Sequence, residues 1–205
     1  MQRTSVICNR GVYSTGGCHH TIIVENQSRD YDTALERFIE LVNNREGEGW
    51  ALQDLQMSTC IESLATAIMN GTAVGVSDGS YKKEAGTAAW VLESEDGSGW
   101  IRGNVVVPGF ASDQSVYRSE IAGIYGAVLV SEIVKEAWAI NKGGIIIGCD
   151  GKEALKQAID IDTKVTSCKQ QQFDLLSGIQ GYVRASELQY TSLHIKGHQD
   201  LDKSI

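Results

Sequence analysis

The residues of this chain best suited to chemistry are acids that close short apolar runs. Thr72 to Val76 is one such run, closed by Ser77-Asp78-Gly79-Ser80-Tyr81. Ile145-Ile146-Ile147-Gly148-Cys149 is a second, closed by Asp150-Gly151. Between them Glu120 stands near the start of a long helical stretch, one position before the stripe residue Ile121. A late loop, Gly197-His198-Gln199-Asp200, brings an imidazole and another carboxylate. If the two runs are neighbouring strands, their terminal acids converge at one end of a sheet. Clustered carboxylates repel one another in an apolar surround, and cations between them relieve the repulsion. Oxygen-only ligation selects Mg²⁺ or Mn²⁺ over zinc. Each piece also has a plain structural role. Asp-Gly makes turns, Asp150 suits a helix N-cap, a first-turn Glu is favoured by the helix dipole, and His198 suits a loop. The weight lies in the combination.

These residues need elements to position them. Thr72–Asp78, Ala85–Glu93 and Trp100–Val107 read as strands joined by short polar turns, an antiparallel meander. Val116 to about Ile140 reads as a long helix, with Tyr117, Ile121, Ile124, Tyr125, Val128, Leu129 and Ile133 on its stripe. Gly123 and Gly126 lower its helix propensity and are expected to allow close packing on the sheet. The run 145–149 is apolar on both faces, as a buried parallel strand is. Helices over Lys152–Ile159 and Lys169–Ala185 and a strand over Tyr190–Lys196 complete the order. The expectation is an α/β fold built on a mixed five-stranded sheet with flanking helices. Residues 1–70 carry no catalytic constellation. They read as a lead-in or connecting segment, with a strand over 21–24 and helices over 31–44 and 61–69, before a domain over 71–205.

Bulk properties set limits. The chain has 205 residues, 42% of them hydrophobic, enough for a sizeable core. Its formal charge of −8 argues against nucleic-acid binding by bulk electrostatics, though not against a local basic groove. Five cysteines at irregular spacing form no disulfide framework and suit a reducing, intracellular compartment, cytoplasm or nucleus. Cys8, Cys18, His19 and His20 fit no paired zinc spacing and are read as coincidence. No signal-peptide core or membrane-length apolar run is present, so the chain reads as neither secreted nor membrane-bound.

The ordered set Ser77-Asp78-Gly79-Ser80-Tyr81, Tyr117-Arg118-Ser119-Glu120-Ile121-Ala122-Gly123, Ile147-Gly148-Cys149-Asp150-Gly151 and His194-Ile195-Lys196-Gly197-His198-Gln199-Asp200 resembles type 1 ribonuclease H. It is most similar to the domains that follow reverse transcriptase in retroelement polyproteins, over about residue 70 to the end. The resemblance implies a ribonuclease H-like fold and hydrolysis of the RNA strand of an RNA/DNA hybrid with two Mg²⁺ or Mn²⁺ ions. It places Asp78, Glu120 and Asp150 as metal ligands and His198 as the histidine that assists proton transfer or product release. Gly79 and Ser80 would meet the hybrid, with Lys82, Lys83 and Lys196 as phosphate contacts beside the plainer reading of solvated lysines. A reverse transcriptase domain in a parent polyprotein is the implied partner. The family's fourth carboxylate sits on a helix after the histidine loop, whereas this chain stops seven positions past His198. The expectation is therefore a C-terminally truncated domain with its final helix missing, and Asp200 or Asp202 as the nearest substitutes. Two other readings compete: a DNA nuclease or integrase of the same fold, and a non-catalytic or decayed module.

Overall fold

Alternating burial runs through residues 73–106 and sets the sheet. The computed structural model describes residues 33–160, 162, 168 and 170–197, with the backbone of 5–8, 11–14 and 23–24. Its elements are β1 (Ser5–Cys8), β2 (Gly11–Ser14), β3 (Ile23–Val24), α1 (Thr33–Asn43), β4 (Gln56–Met57), α2 (Ile61–Asn70), β5 (Ala73–Lys82), β6 (Ala85–Glu93), β7 (Trp100–Val106), α3 (Val116–Ala137), β8 (Gly143–Cys149), α4 (Lys152–Ile159), α5 (Phe173–Ala185) and β9 (Leu188–His194). The strands form one mixed sheet in the order β2-β1-β3-β4-β7-β6-β5-β8-β9. The five expected strands are its β7-β6-β5-β8-β9 portion. The sheet exceeds five because β4 pairs antiparallel with β7, and β3 and β1 then continue it.

β5 is the hinge of the topology. It runs antiparallel to β6 on one flank and parallel to β8 on the other. β8 is parallel to both its neighbours, which is why it is apolar on both faces. β5 does not stop at Asp78. Pairing with β6 carries it on to Lys82↔Ala85, where Lys83 and Glu84, both at positive φ, turn the hairpin.

One face of the sheet presents Ala73, Gly75, Ser77, Ala88, Trp90, Leu92, Ile101 and Val105, and α3 lies across it. A Cβ at Gly123 would sit 3.0 Å from the Ser77 Cβ, and one at Gly126 would overlap the Trp90 indole. These two glycines do let helix and sheet touch, as their positions suggested. α1, α4 and α5 flank α3. α2 closes the end of the sheet where β7 and β8 begin, its Leu64 and Ile68 backbones against Gly99 and Gly143. The opposite face keeps exposed Val76, Val106 and Leu193.

Residues 33–70 share this core. Phe38, Leu52, Leu55, Met57, Ile61, Leu64 and Ile68 are buried in the same cluster as Trp90, Ile121 and Ile147. Glu48 accepts hydrogen bonds from the hydroxyls of Tyr125 and Tyr182, and the Trp50 and Tyr125 rings lie 5.1 Å apart. Two helix bounds differ from expectation. α3 ends at Ala137, with Ala139 left-handed and Ile140 N–H bonded to the Lys135 carbonyl. α5 starts only at Phe173, because Gln172 is left-handed before it. Among the described residues no helix is long and apolar enough to cross a membrane.

Candidate active site

Register places the two strand acids. The last β5–β8 pair is Val76↔Gly148, so Asp78 and Asp150 each lie two residues beyond it, at one level of two adjacent parallel strands. Parallel neighbours separated by a single ladder spacing of about 5 Å bring such groups together. Asp78 stays within the β5–β6 ladder opposite Ala89 and points to the face away from α3. Asp150 has left its strand and stands in a bend before α4.

Glu120 reaches the same place from α3. Ser115 caps that helix, its hydroxyl accepting the Arg118 N–H at 3.0 Å. The first turns of α3 then press on β5 at Gly79, where any Cβ would overlap the Glu120 backbone. The Glu120 carboxylate lies against the Gly151 backbone, again where a side chain would not fit. Burial pushes the Glu120 carboxyl above its ordinary range, and the charges of Asp150 and then Asp78 push it further. Glu120 therefore senses both strand acids. Tyr117, one turn earlier on α3, has its hydroxyl pushed up to about 12 by burial and by Glu153 and Glu120.

The donor set is the oxygen-only type that suits a hard divalent cation. As they stand, however, the carboxylates rest on backbone rather than on a common centre. Asp150 packs against Gly197, where a Cβ would lie 2.6 Å from its Oδ2. Among the described residues no group of three His, Cys, Asp or Glu closes on one point. The set fits a divalent cation in chemistry and charge. With no cation bound, the repulsion has a thermodynamic consequence. A raised folded-state pKa contributes stability below the ordinary glutamate value and loses it as pH rises through the raised one. At neutral pH Glu120→Gln is thus expected to raise the thermal midpoint in chelator, by about 2 °C. Calorimetry of the two proteins checks it, and a lowered midpoint would contradict mutual repulsion.

The substrate-side residues are spread more widely. Ser80 is exposed two positions beyond Asp78 on the same strand face, and Lys82 ends β5. Lys196 is exposed between Ile195, whose N–H bonds to the Cys149 carbonyl, and Gly197 beside Asp150. His198 and Asp200, like Asp202 and the Cys18–His20 cluster, lie outside the described residues.

Two residues with roles here were not singled out from the sequence. His194 Nε2 lies 3.0 Å from the Asp150 carbonyl oxygen and ties the end of β9 to the site. Arg118, 3% exposed, is a hub: Nε donates to the Pro108 carbonyl at 2.8 Å, Nη1 to Gln172 and Asp174, and Nη2 to Asp174 at 2.6 Å. It joins the loop after β7, the start of α3 and the start of α5. The hydrogen bonds and charge of Arg118 hold the Asp174 carboxyl below its ordinary range. A buried arginine two residues before Glu120 was visible as a residue type, but its partner is 56 positions away. Arg118→Ala is expected to cost about 2–3 kcal/mol, less than a fully buried pair because Asp174 is partly exposed. Urea unfolding measures it, and a loss under 0.5 kcal/mol would deny the hub role.

No family model matches the chain, and no curated protein matches it. Solved structures do. The ribonuclease H1 of the halophilic archaeon Halobacterium salinarum aligns over 60% of this chain and 84% of its own, at 14% identity and TM-score 0.40. The compost-derived LC11 ribonuclease H1, in complex with an RNA/DNA hybrid, aligns over 59% and 84%, at 9% identity and TM-score 0.46. A foamy viral protease-reverse transcriptase, also in complex with a hybrid, aligns over 62% of this chain and 18% of its own, at 12% identity and TM-score 0.43. Solved structures to which this mixed α/β chain is similar thus include ribonucleases H1.

Proposed function

We propose that the chain is a metal-dependent ribonuclease that hydrolyses the RNA strand of RNA/DNA hybrids, as part of a retroelement polyprotein that includes a reverse transcriptase. One observation carries the reading. Asp78 on β5 and Asp150 just past the end of parallel β8 each lie two residues beyond the last pair of the two strands, and both charges act on Glu120. Such a trio at the end of a sheet has little structural use and a ready catalytic one.

Asp78, Glu120 and Asp150 would hold the cations, two Mg²⁺ or Mn²⁺ ions, with Asp200 as the fourth carboxylate. Bound there, divalent cations supply Lewis acidity at the phosphate and lower the pKa of the attacking water. Gly79 and Ser80 border the acids on the exposed end of β5, where backbone amides and the Ser80 hydroxyl meet 2′-hydroxyls across a wide minor groove. Lys82 and Lys196 take phosphates on either side, and His198 moves a proton or speeds product release. His194 and Gly197 hold the Asp150 backbone and carboxylate in position.

The test is cleavage of end-labelled hybrid, duplex DNA and single strands in Mg²⁺, Mn²⁺ and excess chelator. The expected result is cation-dependent cutting of the RNA strand of the hybrid alone. Equal cutting in chelator refutes the mechanism, and a preference for DNA refutes the substrate.

The open arrangement of the carboxylates favours a second reading, a non-catalytic module of the same fold. The two readings separate on Mn²⁺ titration. A ribonuclease site gains stability with Mn²⁺ and loses that gain in Asp150→Asn, because a ligand bound to the native state raises its stability. A module without a cation site shows neither effect.

A further inference from the structure

Phe110 is 82% exposed, yet its loop is firmly held. The Phe110 N–H donates to Asp113 Oδ2 at 3.1 Å, and the Asp113 N–H returns to the Phe110 carbonyl at 2.9 Å. Arg118 grips the preceding Pro108 carbonyl, and Gln114 Nε2 donates to the carbonyls of Val107 and Pro108. Holding a large apolar ring in water forgoes the burial that normally stabilises it. An anchored, exposed aromatic side chain is a feature of recognition surfaces.

Its position gives the ligand. The loop runs directly into α3, the helix that carries Glu120. Gly86 on β6 packs against both Ser119 Oγ and Gln114 Oε1, where a Cβ would lie 2.6 and 2.7 Å away. Gly86 pairs with Tyr81, itself 37% exposed, and Val106 and Val116 are exposed beside the same loop. The loop of Phe110 thus leads into the helix of Glu120, and Tyr81 shares the β5–β6 hairpin with Asp78. Charge supplies the second argument. A chain of formal charge −8 gains little from counterion release on binding a polyanion. Stacking of a base on an aromatic ring is independent of charge and tolerant of sequence.

We propose that Phe110 is a nucleobase-stacking contact for the nucleic acid that enters this site. This rests on the ribonuclease reading for the identity of the ligand as a hybrid. The stacked base belongs to a strand end or a frayed step at the margin of the duplex, because bases inside an intact helix present no free face.

The experiment uses the full chain carrying Asp78→Asn, so that hybrid in Mg²⁺ is bound without being cut. A hybrid with a short single-stranded overhang is titrated by fluorescence anisotropy at several salt concentrations. Adding Phe110→Ala is expected to raise Kd about tenfold, the size of one lost base–aromatic stack, with the slope of log Kd against log salt unchanged. Phe110→Trp restores the affinity, and its added fluorescence is quenched on binding. Phe110→Leu does not restore it. An unchanged Kd in Phe110→Ala, or equal rescue by Leu, overturns the proposal. A role for Phe110 in docking a protein would give the first of these. The two readings fail separately. Phe110-dependent binding without cleavage by the parent chain sinks the ribonuclease reading alone. Cleavage with an unchanged KM in Phe110→Ala sinks the stacking contact alone.

Discussion

Asp78→Asn is expected to reduce metal-dependent cleavage of a hybrid on the order of a thousandfold, while the protein stays folded. The substitution keeps the size of the side chain and removes one charge. The backbone of β5 is untouched, and pairing on the β6 flank continues four residues past Asp78. Fold and activity are therefore separable at this position. Loss of a ligand removes several kcal/mol of charge stabilisation at a phosphoryl centre, which is about three powers of ten in rate. Single-turnover cleavage of hybrid by both proteins, with far-ultraviolet circular dichroism as the folding control, makes the comparison. Raising Mn²⁺ should recover part of the loss, since a weakened site fills at higher concentration. Activity within tenfold of the parent would mean that Asp78 is an exposed strand residue and no ligand.

A chain begun at residue 71 is expected not to fold, even though every proposed catalytic group lies after that point. The removed part includes Phe38, Leu52, Leu55, Met57, Ile61, Leu64 and Ile68, all buried. At roughly 1.5–3 kcal/mol for each large side chain, their loss amounts to on the order of 10 kcal/mol. The whole stability of a domain is about 5–15 kcal/mol. Polar ties go as well. Glu48 no longer bridges Tyr125 and Tyr182, and Arg45 no longer meets Glu136. The edge of β7 also loses β4. Thermal melts of the short and full chains decide the matter, and a cooperative transition in the short chain would overturn the prediction. Leu52→Ala in the full chain is the milder form, with an expected cost of about 2–5 kcal/mol.

These two predictions come from different kinds of information. Asp78, Glu120 and Asp150 were legible as candidates because their signals are local: an apolar run that ends in an acid, and an acid one position ahead of a helical stripe. The order of strands and helices after residue 72 was legible for the same reason, since periods of 2 and 3.6 are properties of short windows. The extent of the sheet was not. A strand over 21–24 was expected and contains β3, but β4 is two residues, too short to carry a period, and exists because β7 offers it an edge. The end of β5 was misplaced at Asp78 because Gly79 and Ser80 look like a turn, and only the partner strand β6 keeps them extended. Likewise α5 starts late because Gln172 is drawn towards Arg118, a partner 54 positions away.

The sequence by itself determined which residues had the chemistry for a cation site, and in what order along the chain. Tertiary structure alone decided that Asp78 and Asp150 act on Glu120. Parallel pairing of β5 with β8 sets two acids at one level, and the close approach of α3 at Gly79 delivers the third. The physical reason is that carboxylate chemistry belongs to a residue type, whereas repulsion among carboxylates depends on distance. Distance between residues 78, 120 and 150 is set by register and packing over the whole sheet.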